Sequence, residues 1–100
     1  KMSKSPVHIP INGVIDLHTF APNEAGQVVD EYLNVCSQKG ILEVKIIHGK
    51  GRGMLRRTVE SVLKRHSLVL SFKQDRGPSG WGATVVFLKG MGRDKYERKI

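Results

Sequence analysis

Two hydrophobic periods alternate along this 100-residue chain, and their order predicts its elements. Residues 14–18, Val14-Ile15-Asp16-Leu17-His18, have a period of two. Ile15 and Leu17 fall on one side and Asp16 and His18 on the other, as in a half-buried strand. The period then changes to that of a helix. Ala25, Val28, Val29, Tyr32, Leu33 and Cys36 stand at i, i+3, i+4, i+7, i+8 and i+11. Pro22 suits the first helical position, Glu24 favours the positive helix start, and Gly40 supplies a left-handed stop. A second strand over residues 41–47 ends in the apolar run Val44-Lys45-Ile46-Ile47. A second helix over residues 54–66 has Leu55, Val59, Val62 and Leu63 on its apolar face. Arg57, Glu60 and Lys64 lie opposite, with Glu60 four residues before Lys64, a favourable pairing order. Residues 68–74 and 83–88 read as two further strands, separated by a glycine-rich loop.

The order β-α-β-α-β-β predicts an α/β two-layer sandwich: a four-stranded mixed sheet with both helices on one face. The first two strands are joined by a helix and should be parallel, and the last two should form an antiparallel hairpin. The predicted domain covers residues 14–89. Residues 1–13 form an arm in which Pro10 argues against a central strand and Asn12-Gly13 signals a turn. Residues 90–100 form a charged tail. Cys36 is the only cysteine, which excludes an intrachain disulfide and a cysteine-based metal site. There is no apolar run near the roughly 18 residues of a membrane span and no signal-peptide core, so the expectation is a cytoplasmic protein without a membrane partner. Lys1 ahead of Met2 fits either a tag remnant or an excised fragment of a longer protein.

Charge sharpens the picture. The net charge is +8, and the stretch from Lys45 to His66 holds seven cations against the single anion Glu60. Such a cluster attracts nucleic acid with salt-sensitive affinity, although the same residues also make an ordinary solvated helix face. Within this stretch His48-Gly49-Lys50-Gly51-Arg52-Gly53 joins a strand to a helix start. Glycines and free N–H groups in that position make a cradle for an anion, here a phosphate backbone. The loop is neither a Walker A sequence nor a dinucleotide fingerprint, because Met54 stands where the last glycine would be required. Lys50, Arg52, Arg56 and Arg57 are the expected phosphate contacts. In the later loop Trp81 is either core cover or a stacking surface for an unpaired base, with Arg76 as a further phosphate contact.

Asp16 and His18 share a strand face, and His48 follows the next strand. Ligands in α/β sheets collect outside the carboxyl ends of strands. Both imidazoles can therefore meet across one phosphodiester, with Asp16 orienting His18 for proton transfer. The alternatives are structural: a turn-capping Asp16 and hydrogen-bonding histidines. Carboxylates are scarce, with Asp16 and Asp75 the only ones expected nearby. No metal is required, a single loosely held Mg²⁺ is compatible, and a two-metal site is not supported.

Ile15-Asp16-Leu17-His18 resembles the L-D-x-H motif of the Smr (small MutS-related) domain, and His48-Gly49-Lys50-Gly51 resembles its [HT]-G-x-G motif. Leu55-Arg56 and Gly80-Trp81-Gly82-Ala83-Thr84-Val85-Val86 follow in the family's order. The glycine that usually follows the first histidine is Thr19 here. The resemblance implies a sandwich like the C-terminal domain of bacterial translation initiation factor three. It further implies nucleic-acid binding and often endonuclease activity, in DNA repair or in ribosome quality control, with DNA, RNA and the ribosome as partners. Asp16, His18, His48, Gly49 and Gly51 are the positions it carries over. The rival readings are a non-catalytic nucleic-acid or ribosome-binding module and a binder of small phosphate compounds.

Overall fold

A computed structural model describes residues 10–49, 53–75 and 82–90. The elements follow the predicted order: β1 (Val14–Asp16), α1 (Pro22–Gln38), β2 (Glu43–Ile47), α2 (Met54–Arg65), β3 (Val69–Gln74) and β4 (Ala83–Leu88). They form one four-stranded sheet in the order β1-β2-β4-β3. β1 and β2 are parallel, and β4 is antiparallel to both of its neighbours. The expected two-layer α/β sandwich is therefore present. β1 is shorter than predicted, yet the Leu17 N–H still donates to the Ile47 carbonyl (2.8 Å), so the ladder reaches one residue further.

Strand alternation divides the sheet into two faces. Ile15, Leu17, Val44, Ile46, Val86 and Leu88 are buried and pack in one core against Ala25, Val29, Leu33 and Cys36 of α1 and Val59, Val62 and Leu63 of α2. Both helices thus lie on a single face. Val14, Asp16, Lys45, Ile47, Val85 and Lys73 occupy the other face, in register across the four strands and open to different degrees. Leu70 sits at a register shift between Val69 and Ser71 on the edge strand β3, which leaves its side chain 65% exposed.

The helix ends explain why the chain turns back where it does. α1 begins after Ala21, whose side chain offers no capping oxygen. The Glu24 carboxylate accepts from the Ala21 N–H (3.4 Å) in partial compensation. At its far end Gly40 takes φ +80°, the Gly40 N–H donates to Ser37 O and the Ile41 N–H to Cys36 O. That pair of bonds is a Schellman closure, built on the left-handed stop the sequence predicted at Gly40. No helix among the described residues is long and apolar enough to cross a membrane.

Tyr32 ties β1 to α1. Its buried hydroxyl accepts from the Gly13 N–H (3.1 Å) and lies 3.1 and 3.2 Å from the carbonyl oxygens of Pro10 and Val14, to which it can donate. Burial pushes the phenol above its ordinary pKa. Tyr32→Phe keeps the ring and strands the Gly13 N–H. The expected cost is about 1–3 kcal/mol, read as a lower denaturant midpoint with an unchanged slope.

Candidate functional site

The Asp16–His18 pair forms locally. Asp16 ends β1 on the open face, and one of its oxygens, Oδ1, accepts both the backbone N–H of His18 (3.0 Å) and the His18 ring at Nδ1 (2.7 Å). The turn-capping and ring-orienting readings of Asp16 are thus satisfied together. The His18 N–H, followed by the ring contact, holds the Asp16 carboxyl below its ordinary 3.8. Asp16 is therefore a carboxylate, which cannot donate, so the proton between them belongs to His18 Nδ1. Neutral His18 then carries its lone pair on Nε2. That atom meets no hydrogen-bond partner among the described residues, and the side chain is 68% exposed.

The pair borders a cleft of about 490 Å³ lined also by Lys45, Ile47 and Gly49. The parallel register explains the set. Asp16 lies beside Ile47 on the open face, and Lys45 stands one pleat back in the same column of β2. Gly49 is the next open-face position. Its φ of +84° favours glycine, and a Cβ there would meet nothing within 4 Å, so the requirement is conformational. Lys45 Nζ is paired with Asp75 Oδ2 at 2.9 Å, which sets a cation against the wall of the cleft. Lys45 and Ile47 line the cleft, and neither was singled out from the sequence as a site residue. The signal was available: one lysine interrupts an apolar strand at the same alternation as Asp16.

His48 corrects the expectation of an imidazole pair. Val44, Ile46 and His48 share the helix-facing side of β2, so the same alternation that exposes His18 buries His48 to 5% exposure. Its Nδ1 lies 3.1 Å from the Gly49 carbonyl, an acceptor, and therefore donates. Its Nε2 is 2.9 Å from Thr84 Oγ1. Gln74 continues this internal chain, approaching Thr84 Oγ1 at 3.5 Å and donating to Glu60 Oε2 at 3.2 Å. The two histidines lie on opposite sides of the sheet.

The loop needs a second correction. The amides of His48 and Gly49 both donate to the Gly82 carbonyl (2.9 and 2.8 Å), so neither is free to cradle an anion. Gly53 caps α2 with φ +83°, and the first turn of α2 has no acidic residue. Lys50, Gly51, Arg52, Arg76 and Trp81 lie outside the described residues. Arg56 is exposed and pairs through Nε with Glu60 Oε2 (3.5 Å), the partner predicted for Lys64. Arg57 is exposed on the side of α2 that faces α1. The basic cluster is thus divided between two surfaces: Lys45 opens on the sheet, while Arg56, Arg57, Lys64 and Arg65 stand on α2. Among the described residues no three His, Cys, Asp or Glu side chains converge as metal ligands.

Comparison with known proteins identifies the family. The model of the Smr domain matches residues 15–89. The chain belongs to the Smr domain family. It is 43% identical over 76 residues to endonuclease MutS2 of Clostridium novyi (strain NT), a match covering 75% of this chain and 10% of that protein. With endonuclease MutS2 of Clostridium tetani it shares 40% identity over 80 residues, 79% of this chain and again 10% of the relative. The chain therefore spans about a tenth of the length of the curated relatives it matches. The crystal structure of the Smr domain of Thermus thermophilus MutS2 superposes with a TM-score of 0.71 at 34% identity, covering 78% of this chain and 99% of that one. YdaL, a stand-alone small MutS-related protein from Escherichia coli, shares the fold at a TM-score of 0.71 and 24% identity, over 82% of this chain and 68% of YdaL.

The depressed Asp16 carboxyl sets a pH signature for this Smr domain. A carboxylate whose folded-state pKa lies below its unfolded value adds stability above the unfolded value and loses it as pH falls through the folded one. The difference in melting temperature between the wild type and Asp16→Asn should persist from pH 8 to 5 and shrink below about pH 4. A difference that already shrinks between pH 7 and 6 would place the carboxyl in another state.

Proposed function

We propose that this domain is a nucleic-acid endonuclease in which His18 is the proton-transfer group. The observation that carries this reading is the Asp16–His18 pair at the mouth of an open cleft. A carboxylate holds Nδ1 and leaves a basic Nε2 facing solvent. Orientation of an imidazole by a carboxylate fixes the tautomer and stabilises the imidazolium that forms when it takes a proton. The cleft volume lies within the range of small-molecule sites and suits one nucleotide.

Lys45 supplies positive charge beside the reacting phosphate. The starts of α1 and α2, each following a parallel strand, place the positive ends of two helix dipoles at the same edge of the sheet. Charge at these positions favours the pentacoordinate phosphate over the ground state. The similarity to proteins named endonuclease MutS2 supports the same reaction class.

With one imidazole in the cleft, the reaction it serves most directly is cleavage of RNA by its own 2′-hydroxyl. His18 Nε2 takes the 2′-proton and the 2′-oxygen bonds to phosphorus. The 5′-oxygen then leaves with a proton from solvent, giving a 2′,3′-cyclic phosphate and a 5′-hydroxyl. The donor set in the cleft, one carboxylate and one imidazole beside a lysine, suits this proton transfer better than a pair of divalent cations.

The test is incubation with matched DNA and RNA strands, with and without EDTA, followed by end-group analysis. Cleavage of RNA in EDTA with cyclic-phosphate ends is the expected result. Strict Mg²⁺ dependence on DNA with 5′-phosphate ends would overturn the mechanism. Binding without cleavage of either polymer would identify a non-catalytic nucleic-acid or ribosome-binding module.

A further inference from the structure

We infer that the groove between α1 and α2 is a second binding site, taking the sugar–phosphate backbone of the same strand that enters the His18 cleft. The inference rests on the proposed nuclease reading and extends it to a substrate longer than the cleft.

The groove has a volume of about 760 Å³. It is walled by two polar rows at helical spacing, Asn23, Gln27 and Asp30 on α1 against Arg57, Ser61 and Arg65 on α2. Its floor is low because Gly26 has no side chain. A Cβ at that position would stand 3.5 Å from methyl groups of Thr58 and of Val62.

The chemistry of the walls favours a polyanion with hydroxyl and phosphate acceptors. Asn23, Gln27 and Arg57 are exposed and make no hydrogen bond or ion pair with another described side chain. Arg65 is held in place by Ser61, through Nη1 to Ser61 Oγ at 3.0 Å and to the Ser61 carbonyl at 3.4 Å. Among the described residues Asp30 is the only carboxylate lining the groove, and it is engaged by His66. The His66 ring, 4% exposed, accepts the Leu68 N–H at Nδ1 (3.1 Å) and therefore donates from Nε2 to Asp30 Oδ1 (3.1 Å). Two arginines thus face a single carboxylate that already has a donor.

Geometry links this groove to the cleft. α1 begins four residues after His18, and the contacts of Gly26 with Thr58 and Val62 and of Asp30 with His66 run in the same direction along both helices. The end at Asn23 and Arg57 therefore opens toward the edge where His18 stands, and Arg65 marks the far end. Eight residues of helix separate the arginines by about 12 Å.

The test measures binding in a His18→Ala background, so that cleavage does not intervene, with fluorescein-labelled RNA strands of about 2 and about 20 nucleotides. The expected result is that Arg57→Gln/Arg65→Gln weakens binding of the longer strand about tenfold or more. It should also flatten the dependence of log K on log salt by about 1.4, two contacts at about 0.7 each on a single strand. Binding of the shorter strand should change less than about twofold, which fits the cleft alone. An unchanged affinity for the longer strand, the result expected of a groove that receives a protein segment, would overturn the inference. Equal losses on both lengths would overturn it as well.

Should the arginine variant fail to fold, Asn23→Glu/Gln27→Glu on the opposite wall carries the same expectation and the same contrary result. If the His18→Ala protein binds neither strand, the nuclease reading itself fails, and the groove with it. If it binds the longer strand and both wall variants bind equally well, only the groove is lost.

Discussion

His18→Ala is expected to lower single-turnover cleavage by about 10²–10⁴, the usual contribution of a positioned acid–base group, while leaving the fold and strand affinity intact. The side chain is largely exposed, and among the described residues its one partner is Asp16. Asp16 keeps its bond to the backbone N–H of residue 18 when the ring is removed, so the turn persists. Stability should therefore change by no more than about 0.5 kcal/mol. Added imidazole should restore part of the rate, since it can occupy the space left at the open cleft. A variant that loses strand binding in parallel with cleavage would show that His18 holds the substrate rather than moving a proton.

His48→Ala should behave in the opposite way, as a folding defect. The ring is buried, donates to the Gly49 carbonyl and contacts Thr84 Oγ1. Truncation opens a cavity at the end of β2 and leaves the Thr84 hydroxyl, among the described residues, with the long approach of Gln74. The combined cost is about 2–4 kcal/mol. For a domain of this length that is a drop of about 10–20 °C in melting temperature. His48→Gln can still offer a polar atom toward Thr84 and should recover part of the loss. A melting temperature within about 2 °C of the wild type for His48→Ala would show that the internal chain from Glu60 through Gln74 and Thr84 does not support the loop.

The contrast between the two histidines marks where sequence reading stops. Periodicity was enough for the elements, because strand and helix periods are imposed by the backbone itself. Pro22 and Gly40 fixed the ends of α1 through local stereochemistry. Asp16 and His18 were legible as a pair because residues two apart at a strand end stay within reach of each other through a local turn. His48 belongs to another strand, and its face depends on where that strand's alternation starts relative to β1. The sequence did contain the needed parity: Val44 and Ile46 are the core positions of β2, so residue 48 falls on their side. Reading proximity from the carboxyl ends of strands ignored that parity.

The same oversight concealed Lys45 and Ile47, which share the open face with Asp16. The Gly82 carbonyl that takes the loop amides comes from a segment more than 30 residues away, and no local pattern announces it. The split of the basic cluster between sheet and helix likewise follows from tertiary placement, since linear charge density carries no information about faces.

The central claim is that one imidazole in this Smr domain does the chemistry and the other supports the loop. The most direct measurement compares single-turnover RNA cleavage by the wild type, His18→Ala and His48→Gln at a temperature well below the melting point of all three. The account predicts a rate near that of the wild type for His48→Gln and a loss of at least about a hundredfold for His18→Ala. A His18→Ala protein that cleaves normally, or a folded His48→Gln protein that does not cleave, would contradict it.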